Sequence, residues 1–176
     1  MASVLLYIAI SIDGYIAKKD GSVDWLSVVD GSDSDYGYYT FYDSVDALIM
    51  GSKTYQQILD FGEWPYAGKP SYIFTRQALE SSRDDVIFVS EGPLDVMRRL
   101  EAEGMKRVWM VGGGQIIASF IKNGLIDEYI ISIIPTILGE GIPLFQAPLP
   151  EMSLEVVEST LYSSSGLLQV HYKTGS

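Results

Sequence analysis

The chain has 176 residues, 47% hydrophobic and 20% charged, with a formal net charge of -11. This length suits one domain spanning 1-176 with a real core, and no apolar run approaches the ~18–20 residues of a membrane-spanning helix. With no cysteine and one histidine, disulfides, thiolate chemistry and multi-histidine metal sites are excluded, and the expected metal content is none.

Met1 to Ile12 is apolar but lacks a basic leader and runs into Asp13-Gly14. It reads as a strand and not as a signal peptide, so a cytoplasmic location is expected. No concentrated basic face suits nucleic acid. A small anionic ligand stays open, because its binding depends on local charge and helix ends.

In chain order, Val4–Ile12 reads as a buried strand ended by the turn pair Asp13-Gly14. A second turn falls at Asp20-Gly21. From Asp20 to Asp46 there are seven aspartates and no lysine or arginine. Within that stretch Asp30 to Ser34 reads as a polar loop and Asp35 to Tyr42 as a short helix. The spacing of Asp33, Asp35 and Gly37 does not match a calcium loop. Ala47–Met50 is a short strand stopping at Gly51, and Thr54 to Leu59 is helical. Glu63 to Pro70 is a loop, and Tyr72–Thr75 and Val86–Val89 are further strands. Pro93 opens a helix that Gly104 closes. Arg107–Val111 is a strand. A helix capped by Gly124 follows, with Ile116, Ile117, Phe120 and Ile121 on its buried face. Glu128–Pro135, Leu154–Thr160 and Leu167–Tyr172 are strands, the last two joined by the turn Ser163-Ser164-Ser165-Gly166. Alternating strands and helices followed by a strand-only tail predict an α/β fold of three αβα layers. Its sheet is mixed and mainly parallel, with an antiparallel C-terminal edge.

Three strand ends carry chemistry. Val111 leads into Gly112-Gly113-Gly114-Gln115 and an apolar helix. Glycines there let backbone N–H groups approach an anion at a helix N-terminus. The third glycine of the G-x-G-x-x-G fingerprint is replaced by Ile117, so a plain strand-to-helix turn remains an equal reading. Gly51-Ser52-Lys53-Thr54 is a second glycine turn entering a helix. It is not a P-loop, and alone it reads as a helix start capped by Ser52. Arg76 follows a strand, where a guanidinium can grip a phosphate by two prongs; alone it reads as a surface residue. Together the three strand ends match a dinucleotide. Asp35, among aromatic neighbours, is a candidate to hold a proton or grip the N–H pair of a heterocycle. His171 reads as structural, on the strand face opposite Val170 and Tyr172.

The segments SIDGYIA, VDALIMGSKTY, SYIFTR and VWMVGGGQIIASFIKNGLIDEYIISIIPTILGEGIPLF resemble the dihydrofolate-reductase-like superfamily. They look closest to stand-alone relatives of the riboflavin-biosynthesis reductase (the RibD C-terminal domain). The resemblance implies an NADPH-dependent oxidoreductase. Ala9 and Ile16 would lie near the nicotinamide. Gly51, Ser52, Lys53 and Thr54, with Val111, Gly112, Gly113, Gly114 and Gln115, would hold the pyrophosphate. Thr75 and Arg76 would meet the adenosine ribose and its 2′-phosphate. It also implies a cis peptide between Gly112 and Gly113, and a homodimer. Many relatives carry arginine where this chain has Ser52, which leaves NADPH preference to Lys53 and Arg76. Asp35 stands sixteen positions before Gly51, matching the acid of dihydrofolate reductases. Trp25 and Tyr39 would line the substrate pocket with it. The expected reaction is hydride transfer to a small heterocycle, of dihydrofolate reductase or 5-amino-6-(5-phosphoribosylamino)uracil reductase type. The alternative is a nucleotide-binding module of the same fold without turnover.

Overall fold

A computed structural model describes residues 1–31 and 34–175. Asp33 and part of the polar loop read from Asp30 to Ser34 lie outside them. The strands are β1 (Ser3–Ser11), β2 (Tyr15–Ala17), β3 (Ala47–Gly51), β4 (Ser71–Phe74), β5 (Val86–Val89), β6 (Arg107–Gly112), β7 (Glu128–Ile134), β8 (Ile142–Pro143), β9 (Leu154–Tyr162) and β10 (Leu167–Thr174). The α-helices are α1 (Tyr38–Asp43), α2 (Ser52–Asp60), α3 (Pro93–Ala102) and α4 (Gly114–Lys122), and a 3₁₀ helix spans Asp24–Val29.

Eight strands form one sheet in the order β5-β4-β3-β6-β1-β7-β10-β9, and β2 pairs with β8 apart from it. The first six of that order run parallel. The hairpin β9–β10 closes the edge antiparallel to β7, as the strand-only tail predicts. Among the described residues, no helix is long and apolar enough to cross a membrane.

The parallel strands are buried on both faces, so they read as continuous apolar runs. Leu6, Val4 and Met110 pack on one face under α3 and α4, through Val96, Leu100, Ile117 and Phe120. On the other face Leu5, Leu48, Met50 and Trp109 meet Phe41 of α1 and Tyr55 and Ile58 of α2. Fully burying a Leu, Ile or Phe side chain is worth about 1.5–3 kcal/mol, so these two layers drive the fold.

Two local expectations need correction. Asp35 does not begin a helix. The chain turns first: α1 starts at Tyr38, behind Gly37 with φ 78, and the Asp35 carboxylate accepts the N–H groups of Gly37 (3.0 Å) and of Tyr39 in the first turn of α1 (3.1 Å). A side chain that satisfies backbone donors locally delays helix entry. Ser52 does not cap α2: it is the first helical residue, Gly51 holds the N-cap position, and no side chain caps that end. The short elements β2, β8 and the 3₁₀ helix were not read from sequence, because none is long enough to show a period.

The SIDG turn shows why a motif can be structural. The Asp13 carboxylate accepts the Ser11 hydroxyl (2.6 Å) and the N–H groups of Leu138 (3.1 Å) and Gly139 (2.7 Å). It thereby ties the end of β1 to the loop after β7. These bonds, the Ser11 hydroxyl first, hold its carboxyl below the ordinary 3.8. A depressed acid stabilises the fold above its unfolded pKa and loses that contribution as pH falls through the folded value. Asp13→Asn should therefore lower the melting temperature at pH 7, and the gap to the parent should close as pH drops below 3.8, as thermal melts across pH will show.

Candidate functional site

In the parallel part of the sheet the helices leave the carboxyl ends of β3 and β6 in opposite directions. β3 leads outward through α2 to β4. β6 leads the other way through α4, past β1, to β7. Neighbouring strands whose connections diverge leave a crevice at their carboxyl ends, the usual ligand position of open α/β sheets.

Two helix N-termini frame that crevice. Gly51 and Gly113 occupy the N-cap positions of α2 and α4, and neither end carries a side-chain cap. A Cβ added at Gly51 would stand 3.9 Å from the Gly113 nitrogen, so the two turns touch. Both first turns therefore present backbone N–H groups without side-chain acceptors, and both dipoles favour an anion between them.

The three glycines differ in what they do. Gly112 has φ 131, a conformation that L side chains rarely adopt. A Cβ on Gly113 would press the Thr54 hydroxyl at 3.3 Å. Gly114 packs directly against the Gln146 side chain and the Pro143 carbonyl. The Gly112–Gly113 peptide is cis.

Around this centre the structure brings together most of the residues singled out from sequence. Ser52, Lys53 and Thr54 form the first turn of α2, and Gln115 lies in the first turn of α4. Val111 is the penultimate residue of β6. Thr75 follows β4, and its hydroxyl accepts the Gln77 N–H at 3.0 Å, turning the chain so that Arg76 is exposed. Lys53 is also exposed. Ala9 lies on β1, one strand beyond β6, and Ile16 lies on β2.

The substrate candidates lie further along the sheet, beside β10 and β9. An open groove of about 950 Å³ has Val28, Asp30, Gly31, Ser34 and Asp35 on one bank and Ser164 and Ser165 on the other. Asp35 is exposed, with both oxygens held by backbone N–H groups. Trp25 is buried in a cluster with Val29, Ile134 and Leu167, against which Ala9, Tyr36 and Tyr162 pack. Tyr39 is 66% exposed, and its ring meets that of Tyr38 edge-on at 5.5 Å.

Tyr36 is the one non-glycine residue with positive φ (55) among the described residues. Its hydroxyl donates to the Val29 carbonyl (2.7 Å), and its ring meets Tyr162 edge-on at 4.9 Å. Strained residues held by their surroundings concentrate at functional sites.

Behind Tyr36 is a polar row that the sequence reading did not single out. Ala9, Ser132 and Gln169 are register partners on β1, β7 and β10. The Gln169 amide donates to the Ser132 hydroxyl (3.1 Å), and more distantly to the Tyr7 hydroxyl and the Tyr36 carbonyl, each at 3.4 Å. Burial pushes the Tyr7 phenol above its ordinary range, with the Gln169 hydrogen bond opposing it and the charge of Asp35 adding a smaller rise. Tyr7 is thus a neutral phenol at neutral pH. The available signal was a polar residue interrupting an apolar run, at Ser132 in EYIISII and Gln169 in LLQVHY. His171 is not near this row's ligand side: it pairs with Glu128 at 2.6 Å, toward the amino ends of the strands.

The chain is similar to known proteins in sequence and in fold. The family model of the RibD C-terminal domain matches residues 2–168. The uncharacterized protein YwjB of Bacillus subtilis is 38% identical over 96% of this chain and 95% of its own length. A second Bacillus subtilis protein, YyaP, is 32% identical over 96% and 93%. A Shewanella sp. PV-4 structure, named as a candidate riboflavin biosynthesis protein, superposes with a TM-score of 0.90 at 35% identity, covering 100% of both chains. The Thermotoga maritima diaminohydroxyphosphoribosylaminopyrimidine deaminase/5-amino-6-(5-phosphoribosylamino)uracil reductase has a TM-score of 0.75 at 15% identity, over 99% of this chain and 57% of that one, and shares the fold. With a dihydrofolate-reductase-like sheet and a family match that runs from β1 into β10, the chain belongs to the RibD C-terminal domain family.

Proposed function

We propose that this chain is an NADPH-dependent reductase, a single domain from 1 to 176 that works in the cytoplasm and reduces a small heterocycle. The observation that carries the reading is the pair of touching, uncapped helix N-termini at Gly51 and Gly113. Such a pair suits a pyrophosphate, and the family relationship supports a reductase.

In this reading the first turns of α2 and α4 bind the pyrophosphate through backbone N–H groups. Gly112, Gly113 and Gly114 keep side chains out of its path. Lys53 and Arg76 neutralise the 2′-phosphate end, and neither forms an ion pair with another described residue that would have to break first. Ala9 and Ile16 flank the nicotinamide. When bound, NADPH supplies the hydride from its nicotinamide C4. The protein holds the acceptor ring against it. Asp35, its oxygens already oriented by Gly37 and Tyr39, offers its remaining lone pairs to a ring N–H pair. Trp25 and Tyr39 line the pocket.

At ~100 times its dissociation constant, NADPH adds about 2.7 kcal/mol of stability, so the melting temperature should rise with NADPH. A flat melting curve with both NADPH and NADH would refute the cofactor reading. Arg76→Ala removes a charged hydrogen bond worth ~1.5–3 kcal/mol, which lowers NADPH affinity roughly 10- to 100-fold and leaves NADH affinity unchanged, as calorimetric titration will report.

Asp35→Asn removes a charged acceptor of similar worth, so kcat/KM for the heterocycle should fall by about tenfold or more while NADPH affinity holds. Full activity of that variant across pH would exclude the role.

We further read the chain as a homodimer. Val156, Val157 and Leu161 are exposed on β9, the edge of the sheet, and long apolar edges call for cover. Sedimentation equilibrium should give twice the chain mass, and Leu161→Glu should return it to one.

A further inference from the structure

Two backbone N–H groups aim the Asp35 carboxylate, and they belong to different parts of the chain. The Tyr39 N–H lies in the first turn of α1. The Gly37 N–H belongs to the peptide unit that also carries the Tyr36 carbonyl. A peptide unit is planar, with its carbonyl and its N–H on opposite sides. Whatever holds the Tyr36 carbonyl therefore also sets the direction in which the Gly37 N–H meets Asp35.

That carbonyl is held from the sheet. The Gln169 amide donates to it at 3.4 Å and the Tyr7 hydroxyl at 3.5 Å. Each contact is long, and the constraint comes from their convergence on one oxygen. The Gln169 amide has two protons. The buried Ser132 hydroxyl takes one at 3.1 Å, and the Tyr7 hydroxyl and the Tyr36 carbonyl, each at 3.4 Å, share the other. Ser132 and Gln169 are register partners, so the pairing of β7 with β10 sets this anchor. The Tyr7 ring stacks on Phe41 at 4.1 Å and meets Trp109 edge-on at 6.1 Å. The aromatic core thus fixes its hydroxyl, which burial keeps protonated and able to donate.

The turn requires such a hold. Tyr36 and Gly37 are consecutive residues with positive φ, 55 and 78. For a bulky side chain that conformation persists only where the surroundings impose it. The Tyr36 hydroxyl bonds the Val29 carbonyl and its ring meets Tyr162. Those contacts fix the side chain and leave the rotation of the following peptide open. The Gln169 and Tyr7 contacts close it. A polar row that served the sheet alone would have no reason to reach this turn, since β7 and β10 are already paired from Ile133–Leu168 to Glu128–Lys173.

We propose that Gln169 is a positioning residue: acting through the Tyr36–Gly37 peptide, it fixes the direction in which the Asp35 carboxylate meets the acceptor heterocycle. Ser132 and Tyr7 aim its amide, and Gln169 itself does not touch the acceptor. This rests on the role given to Asp35 in the reductase reading above, and adds the group that sets that carboxylate's direction.

The test uses the full chain carrying Gln169→Leu, which removes the amide donors. In NMR hydrogen exchange the Gly37 amide should exchange about fivefold faster than in the parent, while the strand amides of Ile131 and Val170 keep the parent's rate. In assays with NADPH and either dihydrofolate or 5-amino-6-(5-phosphoribosylamino)uracil, KM for the acceptor should rise by a similar factor while KM for NADPH holds. In an Asp35→Ala background the same substitution should cause no further rise, because the group it positions is gone. Tyr7→Phe keeps the ring stack and should reproduce both effects more weakly; it decides the matter if Gln169→Leu does not fold. Unchanged exchange at Gly37 overturns the proposal, and so does an acceptor KM effect that persists undiminished without the Asp35 carboxylate. Turnover of neither acceptor by the parent chain removes the reductase reading, and the exchange measurement then decides by itself whether Gln169 holds the turn.

Discussion

Two helices cannot both end their first turns in the same place unless their N–H groups are turned toward something other than each other. In this protein the constraint arises from connectivity. β3 and β6 are neighbours, their helices depart to opposite faces, and Gly51 and Gly113 bring the two starting turns into contact. Side chains that would normally cap helix ends are absent from both. Everything else at the carboxyl rim is arranged around this pair of open turns. The positive φ of Gly112 and the close approach of Gly114 to Gln146 keep the backbone where the turns meet.

The rim also shows how a strongly acidic chain can accommodate an anion. A net charge of -11 is unfavourable for any phosphate at long range. Locally the balance differs, because helix N-termini and two unpaired basic side chains act over a few ångströms, where the diffuse charge is screened beyond about 8–10 Å. The same acidity lines the groove beside the β9–β10 turn, where Asp30 and Asp35 are the charged lining residues among those described.

Much of the fold was legible from local pattern. Buried parallel strands are apolar without alternation, and Gly51, Gly104, Gly112 and Gly124 punctuate them. Strand order, however, is not encoded in any window of sequence. Nothing near β6 says that it inserts between β1 and β3. The start of α1 was misread at Asp35 because a carboxylate that caps a turn and one that begins a helix look alike in sequence. β2 and β8 were missed because three and two residues show no period.

By itself the sequence determined the class of fold, the family, and the three strand ends with glycine, Lys53 and Arg76, since each is a contiguous string whose chemistry depends on its own neighbours. Only the tertiary structure decided that Gly51 touches Gly113, that Tyr7, Ser132 and Gln169 share one polar row, and that the Trp25 N–H is buried with no acceptor among the described residues. Tyr7 and Gln169 stand 162 positions apart. Strand register brings them together, and register is set by how the whole apolar sheet packs and not by any residue in the row.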